Sequence, residues 1–296
     1  MPIFELQSYI ETIEKNPALY KEKNFNKRIE AIDSLEFQVI DQMEELLRKT
    51  PQPDTLIWLK SRAEKAMSEL EEIDNNLFKK LQANIRVDGC AGKEFKNMVN
   101  EYFDLSLHPQ EPAYDNLDIF INRLLPFQSM PEQTKDLEPE MVFYQKTPAR
   151  IVFELAEKAH FTKDDVFFDL GSGLGQVAIL VNLLTGAKVK GVEFEPAFCE
   201  YAGDCAAWLN LSNVTFVNAD ARKADYSEGT VFFMYTPFKG EILEEVLEIL
   251  RKESQLRKIK IITYGPCTAQ VVLQSWLDFA PPKDDSIYKL GIFNSL

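Results

Sequence analysis

The sequence predicts an α/β protein, a doubly wound, mostly parallel sheet with an N-terminal all-α helical domain. Three observations predict it. Short apolar runs alternate with helical patterns through the second half of the chain. A glycine-punctuated loop joins the first of those runs to its helix. The first half is poor in glycine and spaces its apolar residues helically.

The stretch from Val166 to Val177 reads as a strand, an apolar run that ends in an acid, turning into a loop with the pattern D-x-G-x-G-x-G, built from Asp169, Gly171, Ser172, Gly173 and Gly175. The apolar run from Val177 to Leu184 reads as the helix that this loop opens. Glycines let a ligand lie against bare backbone, and the start of the helix offers unpaired N–H groups. A dinucleotide fingerprint would place glycine or alanine where Gln176 stands, and no G-K-[ST] follows to make a phosphate-binding loop.

A second strand, Ala187-Lys-Val-Lys-Gly-Val-Glu193, ends in a carboxylate at the spacing at which an acid takes ribose hydroxyls in dinucleotide folds. Val214 to Asp220 ends in another acid, and Thr230 to Phe238 leads into the amphipathic segment Glu241 to Leu250. Lys258 to Tyr264 is a fifth strand. Ligands of such sheets sit outside the carboxyl ends of the strands, where Asp169, Glu193, Asp220 and Tyr235 all fall. An acid at a strand end also serves as a helix cap or a solvated turn, so it is the joint spacing that marks a pocket.

This order of motifs resembles the class I S-adenosylmethionine-dependent methyltransferases, which are Rossmann-like, over residues 144–296. Within that superfamily, Asp169 to Val177 is similar to the loop of the disruptor-of-telomeric-silencing type of histone lysine methyltransferase. The resemblance implies S-adenosylmethionine as cofactor. It implies that the loop from Asp169 to Gly175 holds the methionine part, Glu193 with Phe194 the ribose side, and Asp220 with Ala221 the adenine. In the family the segment before the preceding helix folds over the cofactor, which makes Tyr144 and Thr147 candidates for its methionine end. Thr147 with Pro148 is also a helix-start signal, and capping alone accounts for it.

Family members that methylate planar amino groups carry [DNS]-P-P-[FYW] after the fourth strand, whereas this chain has Tyr235-Thr-Pro-Phe238. Tyr235 and Thr236 are the candidate catalytic residues, with hydroxyls that donate or accept. Core packing of Tyr235 and strand-breaking by Pro237 form the competing account. Methyl transfer runs largely on alignment, so a missing base does not exclude an enzyme. The acceptor, a nitrogen or oxygen of a protein or small molecule, is not readable from these residues.

A length of 296 residues with 45% apolar content suits two domains. They are expected at 1–125 (helical accessory domain) and 144–296 (cofactor-binding domain), with a polar, proline-rich linker at 126–143. Net charge is −14 and both halves are negative, which disfavours nucleic acid as a partner and suits a basic protein. No apolar run reaches membrane-span length and the first residues do not read as a leader, so the chain is expected to be cytoplasmic, with no membrane partner. Four cysteines without C-x-x-C spacing, and His108 and His160 far apart, suggest reduced thiols and no metal site.

In the first half, Leu56, Leu59, Ala63, Ala66, Leu70, Ile73 and Leu77 form a heptad seam. The segment from Asn24 to Lys49 is expected to pair with it across the Thr50–Asp54 break, as a helical hairpin. This half is a candidate wall for the active site and a candidate homodimer contact. An inactive, cofactor-binding scaffold is the main alternative function, and a nucleotide-dependent oxidoreductase, opposed by Gly175-Gln176, is a third. At the far end, Ser286 to Asn294 is expected to be a final strand that, like its counterpart in the superfamily, inserts antiparallel into the sheet.

Overall fold

The computed structural model describes residues 2–49, 54–105, 114–126, 129–279 and 288–296, so His108, the break at 50–53 and residues 286–287 lie outside the described residues. The chain divides into two compact units, residues 1–83 with 99–104 and residues 84–98 with 105–296. The second unit therefore takes in 84–98 and 105–125, which the sequence groups with the helical half.

The first unit contains α1 (Ile3–Glu14), α2 (Phe25–Asp33), a π-helical stretch (Ser34–Ile40), α3 (Asp41–Leu47) and most of the 35-residue α4 (Asp54–Asp88). Leu35, Val39 and Met43 are all buried although they step by four, a spacing that drifts around an α-helix. The wider i→i+5 turn brings that spacing back onto one face. Along α4 the seam holds at Leu56, Leu59, Ala63, Ala66, Leu70 and Leu77, but Ile73 is only partly buried and its neighbour Asp74 is fully buried. The reason is Arg28, whose Nε donates to Asp74 Oδ1 at 2.7 Å and whose other N–H groups reach the Leu19, Lys21 and Glu22 carbonyls at 2.9, 2.8 and 3.1 Å. A buried guanidinium needs a buried carboxylate, and the seam shifts by one residue to supply it.

In the second unit, most of α5 (Lys93–Asn100), α6 (Asn116–Leu124) and α7 (Ala149–Lys158) precede an alternation of strands and helices. These are β1 (Val166–Leu170), α8 (Gln176–Thr185), β2 (Lys188–Glu193), α9 (Pro196–Trp208), β3 (Val214–Asn218), β4 (Val231–Met234), α10 (Gly240–Ser254), β5 (Lys260–Thr263), α11 (Thr268–Val271), β6 (Leu277–Phe279) and β7 (Gly291–Ser295). The seven-stranded sheet runs β3-β2-β1-β4-β5-β7-β6. The first five strands in that order pair in parallel, and β7 lies antiparallel between β5 and β6. The sequence reading includes β7 but misses the three-residue β6, which is too short to display a period.

Every residue of β4 is buried, as in a strand covered on both faces. Phe168, Phe232, Leu243, Leu247 and Phe293 belong to one core cluster beneath it. Strand order reverses between β1 and β4, and a crevice opens there at the carboxyl ends of the strands.

Candidate active site

The carboxyl ends of β1, β2, β3 and β4 surround one pocket. Asp169, Gly171, Ser172, Gly173, Glu193, Phe194, Asp220, Ala221, Tyr144, Thr147, Tyr235 and Thr236 all line it. Gly175 does not. It caps α8 with φ +81°, and an added Cβ would lie 2.6 Å from the Phe216 ring and 2.7 Å from Ala202, so close packing of helix on sheet requires this glycine.

The loop is tied to β2 by Gly171 and Ser172, whose N–H groups donate to the Val192 carbonyl at 2.9 and 3.1 Å. Glu193 is buried, and its carboxyl holds the loop from the other side. Oε2 accepts the Gly173 N–H at 2.7 Å and Oε1 the Glu195 N–H at 2.8 Å. The Phe194 backbone also favours the charged form, and a carboxylate, with about four lone-pair sites, keeps capacity for a ligand. Burial raises the Glu193 pKa against these backbone bonds. Asp169 is buried too, and burial, with the Glu193 charge adding to it, lifts its pKa to about 8 while the Ala178 N–H opposes the shift. Two buried carboxyls thus face a pocket lined, among the described residues, by no lysine, arginine or histidine.

Gly173 adopts φ +53°, and a Cβ there would lie 2.3 Å from the Tyr144 ring, which covers the loop and meets Phe198 edge-on at 5.7 Å. Gly173→Val is therefore expected to abolish cofactor binding, with calorimetry as the check. Binding within about tenfold of the parent, roughly 1.4 kcal/mol, would show that the loop backbone is not the contact surface.

Tyr144 follows directly on the stretch 126–143 that the sequence reads as a linker. Residues 131–143 form a strap pinned across the rim. Thr134 Oγ1 donates to Glu195 Oε1 at 2.6 Å and the Lys135 N–H to Glu195 Oε2 at 2.9 Å. Arg222 Nη2 donates to Glu138 Oε1 at 2.7 Å, and Glu140 Oε2 accepts the Ile242 N–H at 2.9 Å. Met141 makes an antiparallel bridge with Phe238. The capping role expected of Thr147 is filled elsewhere. Pro148 is the cap residue of α7 and makes no side-chain cap bond, while Asp118 Oδ1 accepts the Ala149 N–H at 2.8 Å. Thr147 is buried and lines the pocket.

Phe194 carries the Lys135 ammonium 4.5 Å from its ring centroid. Asp220 accepts from Arg222, which holds its pKa below the usual carboxylate range. The Ala221 carbonyl accepts the Tyr226 hydroxyl at 2.7 Å.

At the end of β4, Tyr235 is half-buried with its ring 4.8 Å from that of Tyr264, and Tyr264 lies 6.0 Å from Tyr288. Burial pushes the Tyr235 hydroxyl up to about 12. Thr236 has φ +42°, an outlier for a β-branched residue that costs on the order of 1–3 kcal/mol. Its Oγ1 holds the turn by accepting the Cys267 N–H at 3.1 Å and donating to the Tyr264 carbonyl at 3.2 Å.

Sequence reasoning misses Gln176, which it reads only as the absence of a glycine. The side chain is buried, it lines the pocket, and neither amide atom has a partner; Ser172 Oγ is unpartnered as well. An amide placed first in a helix and followed by five apolar residues, Val177 to Val181, is the signal that could have found it. Tyr264 and Tyr288 belong to elements read only as strands.

Residues 139–264 match the family described as histone methylation protein DOT1. No curated protein matches the chain. Among solved structures, the chain is similar to an RNA methyltransferase from Salinibacter ruber in complex with S-adenosyl-L-homocysteine (22% identity, 51% of this chain and 92% of that one, TM-score 0.41). It is also similar to a SAM-dependent methyltransferase from Aquifex aeolicus (18%, 48% and 88%, 0.40). A third likeness is to the precorrin-6y C5,15-methyltransferase from Geobacter metallireducens (18%, 53% and 92%, 0.40).

Proposed function

We propose that the chain is a class I S-adenosylmethionine-dependent methyltransferase, with S-adenosylmethionine as its cofactor, and that it methylates a nitrogen, the side-chain amine of a lysine in a basic protein. The observation that carries this reading is the two-sided character of the pocket. One side offers buried carboxyls and unpartnered polar atoms, and the other a wall of tyrosines.

The first side fits the cofactor. A ligand that brings positive charge and hydroxyls would satisfy Asp169, Glu193, Ser172 Oγ and the Gln176 amide together. In this reading Glu193 accepts the ribose hydroxyls with the lone-pair capacity its backbone partners leave. Asp169, Gln176, Ser172, Tyr144 and Thr147 hold the methionine end, and Phe194, Asp220 and Ala221 border the adenine. When bound, S-adenosylmethionine supplies a methyl group on a positively charged sulfur.

On the other side, Tyr235 and Tyr288 line the pocket and offer aromatic faces to an alkylammonium stem, with the buried Tyr264 packed against both. Tyr235 stays protonated at neutral pH and does not act as a base. An alcohol would need a base to attack, whereas an amine brings its own lone pair once it is deprotonated, and an aromatic, partly desolvated channel favours the neutral amine. Thr236 fixes the turn that carries Tyr235, and alignment of amine and methyl then does most of the work. The acidic surface suits a basic partner, and the histone methylation family match supports a lysine acceptor.

The test is transfer of a labelled methyl group from S-adenosylmethionine to core histones, polylysine and free lysine. Label on lysine in the basic proteins is expected. No label above that given by Gly173→Val, in a protein that binds S-adenosylhomocysteine, would overturn the acceptor assignment. Glu193→Ala is expected to weaken S-adenosylhomocysteine by about 1–3 kcal/mol, the worth of hydrogen bonds to a charged group. An unchanged affinity in a folded variant would remove Glu193 from the ribose.

A further inference from the structure

Asp220 stands where the superfamily resemblance calls for an acid that accepts the adenine 6-amino group, but here its carboxylate is already engaged. Oδ1 accepts the Arg222 backbone N–H at 2.9 Å and Nε at 3.0 Å, while Oδ2 accepts Nε at 3.1 Å and Nη2 at 2.7 Å. Three N–H groups of one residue, the Nε–H shared between both oxygens, take up most of the roughly four lone-pair sites of the carboxylate, and the guanidinium neutralises its charge. Nη2 also donates to Glu138 of the strap at 2.7 Å. Arg222 is thus bound on both sides by acids, and Asp220 serves as its anchor.

The consequence concerns which purines fit. A free carboxylate demands a donor at the purine 6-position and repels an acceptor there, because a buried charge left unpaired or facing a lone pair is costly. A carboxylate already neutralised and occupied by a guanidinium makes no such demand. Resting on the reading of Asp220 and Ala221 as the adenine end of the cofactor site, we propose that Arg222 removes discrimination at the purine 6-position. The site then accepts 6-amino and 6-oxo purine nucleosides of the same amino-acid thioether alike. Arg222 is in this sense a specificity-determining residue that acts through Asp220.

The experiment compares S-adenosylhomocysteine with its deaminated counterpart, S-inosylhomocysteine, by calorimetry on the full chain. Dissociation constants within about threefold of each other are expected, because no hydrogen bond to a charged group separates the two ligands. A preference of about tenfold or more for the adenine compound would overturn the proposal, since that is what one such bond confers. In Arg222→Ala the freed Asp220 should create a preference of about tenfold or more, and equal affinities in that folded variant would remove Arg222 from the explanation. The wild-type ratio stands as a test by itself should Arg222→Ala not fold. If S-adenosylhomocysteine itself does not bind, the cofactor assignment fails and the proposal with it. Binding of that ligand with strong adenine preference overturns the proposal alone.

Discussion

Stabilisation of the protein by S-adenosylmethionine is expected to grow steeply between pH 6 and pH 8. The cause is Asp169, whose carboxyl is pushed up to about 8 by burial and by the neighbouring Glu193 charge. A carboxyl whose folded pKa is raised binds more protons in the folded than in the unfolded state between about pH 4 and pH 8. Its contribution to the stability of the free protein is therefore greatest in mild acid and declines as pH rises through that window. With 1.36 kcal/mol per pKa unit, the decline is on the order of several kcal/mol.

A bound cation reverses the preference by favouring the ionised carboxyl. Binding at pH 7 should release close to one proton from Asp169, and affinity should rise until the group is ionised without help, near pH 8. Above that pH the gain levels off, because the α-amino group of the cofactor begins to lose its own charge at about 7.7–8.0. Thermal shift at constant cofactor concentration from pH 6 to 8 gives the first reading. Calorimetry in buffers of different ionisation enthalpy gives the proton count. A flat thermal shift with no proton release would mean that Asp169 is already ionised in the free protein.

The second large effect lies in the helical unit. Asp74→Ala is expected to cost about 3–5 kcal/mol, because it leaves the Arg28 guanidinium buried with carbonyl partners but no counter-charge. Both side chains are completely buried, so solvent does not screen the loss. Asp74→Asn, which keeps an acceptor, should cost less, and replacing both partners with apolar residues less than Asp74→Ala alone. Urea unfolding followed by far-UV circular dichroism measures the series. A cost below about 1 kcal/mol for Asp74→Ala would place the pair among those that contribute little.

The α/β class, the positions of β1 to β5 and the loop at Asp169 were legible in the sequence because they rest on local rules. A buried parallel strand must be an apolar run, and a loop that approaches a ligand with its backbone must be glycine-rich. Glu193 and Asp220 were legible as acids at strand ends, since strand ends in this topology face one rim. Local rules could not separate Gly175 from its neighbours. Whether a glycine serves a ligand or admits Phe216 depends on a strand about forty residues away in sequence.

The same limit governs the rest of the site. A polar, proline-rich stretch reads as a linker, and only tertiary contacts from Glu195, Arg222 and Phe238 turn residues 131–143 into a strap. Gln176 is an ordinary helix-start residue until burial leaves its amide without a partner. Thr236 reveals its strain only through φ, and Tyr264 and Tyr288 join Tyr235 only when β4, β5 and the approach to β7 come together. The sequence by itself determined the architecture and the chemical class of the cofactor loop, because periodicity and glycine spacing act over a few residues. The tertiary structure decided which polar groups are left unsatisfied, which acid is free and which is clamped, because burial and hydrogen-bond partnership are properties of the packed chain.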